Sequence, residues 1–211
     1  MIWQDCQVSI AVDHLILCAP DLSQGADEIR RSIGASSVEG GRHVGFGTHN
    51  RIVPLGANYL ELLAVADPAE ALGNSFGAWA TERSLVPVGV DALCLRVPDL
   101  DDVCERLGIS ATPMSRRRPD GVELSWRVAG IEETVDRGLP FFIEWAIPEA
   151  YMPGMMPVDH LNGPISLTSI IVSGDASFLT DWIGEASGVE VVEGPRGLTA
   201  EFTTPRGRVK I

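Results

Sequence analysis

The chain has 211 residues, 45% of them hydrophobic, enough to bury one sizeable core or two small ones, which excludes a disordered tail or a disulfide-stapled miniature. Its net charge of -13 and isoelectric point near 4.6 repel phosphate backbones and anionic membranes, so neither nucleic acid nor membrane is expected as a partner; Arg116-Arg117-Arg118 is the one local basic patch. No apolar run approaches the roughly eighteen residues of a membrane span and no signal-like segment opens the chain, so a cytoplasmic protein is expected. Cys6, Cys18, Cys94 and Cys104 lack CxxC spacing and read as small core residues.

The first element is VDHLILCAPDL, Val12 to Leu22, a strand closed by Pro-Asp. Asp21 stands where an N-cap belongs, ahead of Leu22, Ala26, Ile29 and Ile33, whose spacing of three and four makes one buried helical stripe ending at Gly34. GGRHVGFGTHN, residues 40–50, comes next. A phosphate-binding glycine loop follows a strand and opens a helix, whereas this stretch leads into RIVPLG and NYLELLAV, both strand-like. It therefore reads as a glycine-rich turn carrying His43, Thr48, His49 and Asn50 toward whatever the strands enclose, as a mobile hairpin or as an active-site lid.

An Ala/Glu-rich helical join, Asp67 to Ser84, leads to VDALCLRVPDL, Val90 to Leu100, identical to the first strand segment at about seven of eleven positions. Asp99 again caps a helix, with Leu100, Val103 and Leu107 as its stripe and Gly108 as its stop. RRRPDG beyond it is either a solvated turn or a place where Arg116 meets a substrate carboxylate or phosphate. PFFIEWA then closes the second copy as NYLELLA closes the first, making Glu144 the expected counterpart of Glu61. After a Pro/Met-rich linker, a third and fainter copy opens at ISLTSIIVSGDASFLTDWIGEAS, with Asp175 as cap.

The chain thus reads as three βαβββ units, at about 8–66, 88–147 and 165–211, the first two forming one domain over 1–148. The fold class is α+β, a cupped mixed sheet with helices outside. The odd unit lacks a partner in the chain, so a homodimer is expected to cover it.

Repeated βαβββ units with a His on the first strand and a Glu on the last resemble the vicinal oxygen chelate superfamily. DHLILCAPDL, GGRH, GTHN, YLELLA, RRRPDG and LPFFIEW resemble, more narrowly, its glyoxalase-like domain family, in order over about residues 12–148. The resemblance implies a divalent metal in the cup, with ligand positions at His14, Glu61, Ala92 and Glu144. Ala92 offers no donor atom, and Ser169 stands in the third unit where His14 stands in the first. Strand alternation places His14 with Ile16, Glu61 with Tyr59 and Glu144 with Phe142, so one imidazole and two carboxylates are expected to converge on Zn, Mn, Fe, Co or Ni. His43 is the candidate replacement ligand.

Glu61 and Glu144 are the expected proton-moving groups, with His43, Thr48, Asn50, Arg96 and Arg116 as substrate-binding residues. The implied activity is metal-dependent lyase, isomerase or oxygenase chemistry on a small oxygen-rich metabolite. The alternative is a non-catalytic protein that binds or sequesters a small molecule. Pairing of a strand carboxylate with Arg96 would serve that alternative.

Overall fold

The structure, a computed structural model, describes residues 10–118 and 121–211. Cys6 and the Pro-Asp pair of the RRRPDG turn lie outside the described residues. The first unit comprises β1 (Ile10–Cys18), α1 (Leu22–Ile33), β2 (Val38–His43), β3 (Thr48–Pro54) and β4 (Tyr59–Val65). Asp21 caps α1 by accepting from the Gln24 amide, and Gly34 ends it at φ 77°, a left-handed conformation open to glycine. Short α2 (Pro68–Ala71) and α3 (Ser75–Arg83) then cross to the second unit.

That unit repeats the plan: β5 (Ala92–Arg96), α4 (Leu100–Leu107), β6 (Thr112–Arg117), β7 (Glu123–Ala129) and β8 (Phe141–Trp145). Between β7 and β8 it inserts a helix the βαβββ reading lacks, α5 (Ile131–Arg137), bounded by Gly130 and Gly138, with Glu132 and Glu133 in its first turn and Arg137 in its last. Those charges complement the helix dipole.

Strands run in the order β2-β3-β4-β1-β5-β8-β7-β6. Parallel pairing of β1 with β4, and of β5 with β8, places the two units about an antiparallel β1–β5 seam. The sheet curls until its edges β2 and β6 meet: a Cβ on Gly41 of β2 would stand 2.9 Å from the Arg116 guanidinium of β6. The expected cup with helices outside is what the chain forms.

Alternation divides the apolar residues between two faces. Leu15, Leu17, Leu60, Leu62, Leu93, Leu95 and Phe142 point to the convex side and pack on α1 and α4. Ile16, Cys18, Leu63, Ala92, Cys94, Phe141 and Ile143 line the concave side. Cys18 and Cys94 are buried and Cys104 half-buried, and burial raises all three thiols above the ordinary range, as core cysteines require.

The third unit has β9 (Ser166–Gly174), α6 (Ala176–Ile183), β10 (Ala186–Ser187), β11 (Val189–Glu193), β12 (Gly197–Thr204) and β13 (Gly207–Lys210). It builds a separate four-stranded sheet, β11-β9-β12-β13, while β10 extends the first sheet beside β1. Its apolar face, with Ile170, Val172, Leu179, Trp182 and Phe202, joins the convex core of the first two units. That face is thus covered within the chain, while β11 and β13 stand as the edges of the second sheet. The linker straps the units together: Gly56 N–H donates to Gly154 O, and the His160 ring bridges the Ser36 amide and Pro54 O.

Candidate functional site

Strand β1 carries a bulge between Val12, which pairs with Leu95, and His14, which pairs with Cys94. A bulge leaves one residue unpaired and resets alternation. Val12 therefore packs into the convex core while both Asp13 and His14 serve the concave side. Asp13 Oδ2 accepts from the Trp145 indole N–H at 2.9 Å, and its Oδ1 accepts from His14 Nδ1–H at 2.8 Å. In the neutral ring that bond sets the tautomer, with the proton on Nδ1 and the lone pair on Nε2. Nε2 is buried without a hydrogen-bond partner, 3.3 Å from Glu61 Oε2. The ring is stacked on Tyr59 and meets the edge of Phe141.

The glycine-rich stretch is the β2–β3 hairpin, and its glycines make room for one amide. Gly41 N–H donates to Asn50 Oδ1 at 2.8 Å, which settles which end of the Asn50 side chain carries the nitrogen. Nδ2 then donates to Glu61 Oε1 at 2.6 Å and to His43 Nε2 at 3.2 Å. With Nε2 accepting, His43 Nδ1–H donates to Thr48 Oγ1 at 3.0 Å. Gly40, the bulge residue of β2, leaves the necessary gap, since a Cβ there would fall 1.9 Å from Asn50 Oδ1. Gly40→Ala is therefore expected to expel Asn50 and to cost about 1–3 kcal/mol, as overpacked cores do. Urea unfolding measures it, and an unchanged midpoint would remove this role for the glycine.

Burial alone would raise the Glu61 carboxyl, but His43, His14, the Asn50 hydrogen bond and Arg116 hold it below its ordinary range, and it is ionised. Burial lowers His43 despite Glu61, so its ring is neutral at pH 7. The linkage sign follows. Between the lowered folded value and the ordinary 6.5, the unfolded chain binds the proton that folded His43 refuses, so stability falls as pH drops through that window. His43→Gln is expected to flatten the fall, read as urea midpoints at pH 7 and at about 5.5. An identical slope in the variant would refute it.

These residues form the polar end of a cavity of about 510 Å³, whose other end, toward α3 and α5, is lined by Phe46, Phe76, Met114, Val128 and Ile131. The glyoxalase-like domain family matches residues 12–186, most of the chain. The chain belongs to the glyoxalase-like domain family. No curated protein is significantly similar to it in sequence. A hypothetical protein from Staphylococcus aureus shares the fold at a TM-score of 0.67, with 18% identity over 89% of this chain and 87% of its own. Methylmalonyl-CoA epimerase from Mycobacterium tuberculosis is 20% identical over 71% of this chain and 95% of its own, with a TM-score of 0.45. The Streptomyces coelicolor epimerase, in complex with 2-nitronate-propionyl-CoA, is 16% identical over 64% and 97%, with a TM-score of 0.46.

Of the four ligand positions expected for a glyoxalase-like chain, His14 and Glu61 meet and Glu144 does not join them. Glu144 faces the convex side, where its Oε2 accepts from Arg127 Nε at 2.7 Å and Arg127 reaches on to Asp101 of α4. The cause is register. Ile16 pairs with Glu61, but Cys94, which repeats Ile16, pairs with Phe141, so Phe141 is the counterpart of Glu61, and Glu144 lies an odd three residues on. Glu144 as metal ligand and proton carrier is corrected accordingly.

Arg96 shares the face of Ala92 and Cys94 but lies outside the cavity lining, at the strand end, its Nη1 on Met152 Sδ and 3.8 Å from Asp13 Oδ2. Thr48 is fully buried and touches the cavity through His43 alone. His43, Asn50 and Arg116 do line it, while His49 pairs with Arg42 across the hairpin and does not. Asp13 and Trp145 were missed. The one signal for Asp13 is the VDH of the repeat, since a bulge leaves no pattern of its own. Asp13, His14 and Cys94 also form a buried cluster with metal-ligand atom types, but the proton shared by Asp13 and His14 Nδ1 already accounts for that contact.

Proposed function

We propose that the cup is the active site of a metal-dependent enzyme that moves a proton on a small oxygen-rich substrate, in lyase or isomerase chemistry. The observation that carries this is the facing pair of His14 Nε2 and Glu61 Oε2. They stand 3.3 Å apart, a buried ring nitrogen facing a carboxylate oxygen with no hydrogen bond formed between them, while Asp13 holds the other ring nitrogen. A cation relieves that opposition. His43 Nε2 lies 3.5 Å from Glu61 Oε1 but accepts from Asn50 Nδ2, so it becomes the third donor once that amide swings aside and the ring moves in; two imidazoles with one carboxylate then suit Zn, Mn, Fe, Co or Ni with positions left open. All are in the form a metal needs where their state is fixed: His43 neutral, Glu61 ionised.

When bound, such an ion supplies Lewis-acid polarisation of a substrate oxygen. The rest is the work of the chain. Glu61 is the buried carboxylate placed to take and return a proton, Asp13 holds the His14 ring in one tautomer, and Tyr59, Phe141 and Trp145 wall the floor against water.

A second reading, a metal-free small-molecule binder, is favoured by one observation. Ala92 and Phe141 stand where the repeat would supply two further ligands, and Asn50 already serves both Glu61 Oε1 and His43 Nε2. A proton between His14 and Glu61 would then replace the metal. Untagged protein dialysed against Zn²⁺ or Mn²⁺ and analysed for bound metal decides between them. A single equivalent per chain is expected, and none in either bath would leave the binder.

A further inference from the structure

We infer that the cup's substrate is an amphipathic organic acid, its carboxylate held by Arg116 and its apolar body lying along the aromatic end. The inference rests on reading the cup as a substrate site. Arg116 is nine-tenths buried, with 9% of its surface exposed, and it lines the cavity. Among the described residues its Nη1 has no hydrogen-bond partner and the guanidinium forms no ion pair. A buried charge without a direct partner is costly, and Glu61, the anion within electrostatic reach, already gives its Oε1 to the Asn50 amide. A ligand anion completes the site with a charge as well as hydrogen bonds.

The second strand edge is cut away to admit the guanidinium. A Cβ on Gly41 would stand 2.9 Å from Nη1, so glycine there lets β2 pass beside it. Paired N–H groups in a planar fork match a carboxylate bidentately. Arg116 is the sole Lys or Arg among the cavity-lining residues, which also include Glu61, Glu132 and Glu133, so one negative charge is neutralised there, while a phosphate dianion would bring a second against those carboxylates. This favours carboxylate.

The body is read from the other end. A cavity of about 510 Å³ lies in the range that encloses ligands far larger than a two- or three-carbon acid. Phe46, Phe76, Met114, Val128 and Ile131 gain about 25 cal/mol per Å² only if apolar surface covers them. A ring or a medium-length chain does so.

The test uses full-length protein stripped of metal by a chelator, titrated by calorimetry with octanoate, octanamide, octyl phosphate and acetate, beside the R116Q variant. Stripping makes the result independent of the metal: acid-over-amide preference without metal binding would sink the metal reading alone, and metal binding without that preference would sink this one. Octanoate is expected to bind the parent at least about tenfold more tightly than octanamide, which lacks the charge, or acetate, which lacks the apolar chain, since a charge-assisted bond and the burial of that chain each contribute that much or more. R116Q is expected to lose at least about tenfold for octanoate, to keep its weak affinity for octanamide, and to melt no lower than the parent. If R116Q does not fold, R116K keeps the charge without the fork and is expected to fall between the two. Equal affinity for acid and amide, parent-like octanoate binding in the variants, no binding by the parent, tighter binding of octyl phosphate, or acetate as tight as octanoate each overturns the inference.

Discussion

His14→Ala is expected to abolish the rise in melting temperature that divalent metal gives the parent. At a hundredfold excess over Kd, a ligand confined to the folded state stabilises by about 2.7 kcal/mol, roughly 5–10 °C for a chain of this length. The variant loses the donor whose Nε2 faces Glu61 Oε2 at 3.3 Å and keeps Asp13 bound by Trp145, so it folds. Without metal it melts lower than the parent, because buried Asp13 Oδ1 loses the ring N–H that it accepts from. Glu144→Ala serves as the control. Its carboxylate lies across the sheet on Arg127, so the metal response is expected to persist in full, and likewise in His49→Ala. A full metal response in His14→Ala would end the metal reading, and loss of response in Glu144→Ala would mean that the register of β8 in solution differs from the one described.

That contrast shows what was legible in the sequence. The repeat of VDHLILCAPDL located β1, α1, β5 and α4, and the capping aspartates and terminal glycines fixed the helix ends to within a residue, because those signals act over one turn. His14 and Glu61 followed from period-two alternation along single strands. Glu144 failed because IEW and LEL look alike while their pairing differs by an odd number of residues, and a register is set by partners far away in the chain. The bulge at Asp13 was hidden for the same reason. The role of Asn50 was half visible: the glycines around it announced close approach, but not that Gly40 yields to an amide rather than to a ligand. Helix α5 had its signals in plain sight, two flanking glycines with acids leading and Arg137 trailing, and the βαβββ plan leaves no place for them.

Trp182→Ala is expected to be the most destabilising substitution outside the cup, and to unfold the whole chain earlier rather than the third unit alone. The indole of α6 is 6% exposed, packs with Phe142 of β8 and Phe178, and donates from Nε1 to Pro140 O at 2.8 Å. Truncating a buried Trp costs about 3–5 kcal/mol, and the Pro140 carbonyl left without its donor adds about 1–3 kcal/mol unless water reaches it. Against a total of about 5–15 kcal/mol, the loss lowers the melting temperature by roughly 10 °C or more. Arg106 of α4 also donates to Trp182 O, so the same turn of α6 is tied to both the sheet and the helix of the second unit. Because Ile170, Val172 and Phe202 continue the convex core of Leu15, Leu60 and Leu95 without a break, the units should melt together. Amide exchange reads this directly: protection is expected to fall in β9 and in β1, β5 and β8 alike. A variant that loses protection only beyond residue 165, with β1 to β8 unchanged, would mean that the third unit is a separate folding domain resting on the cup.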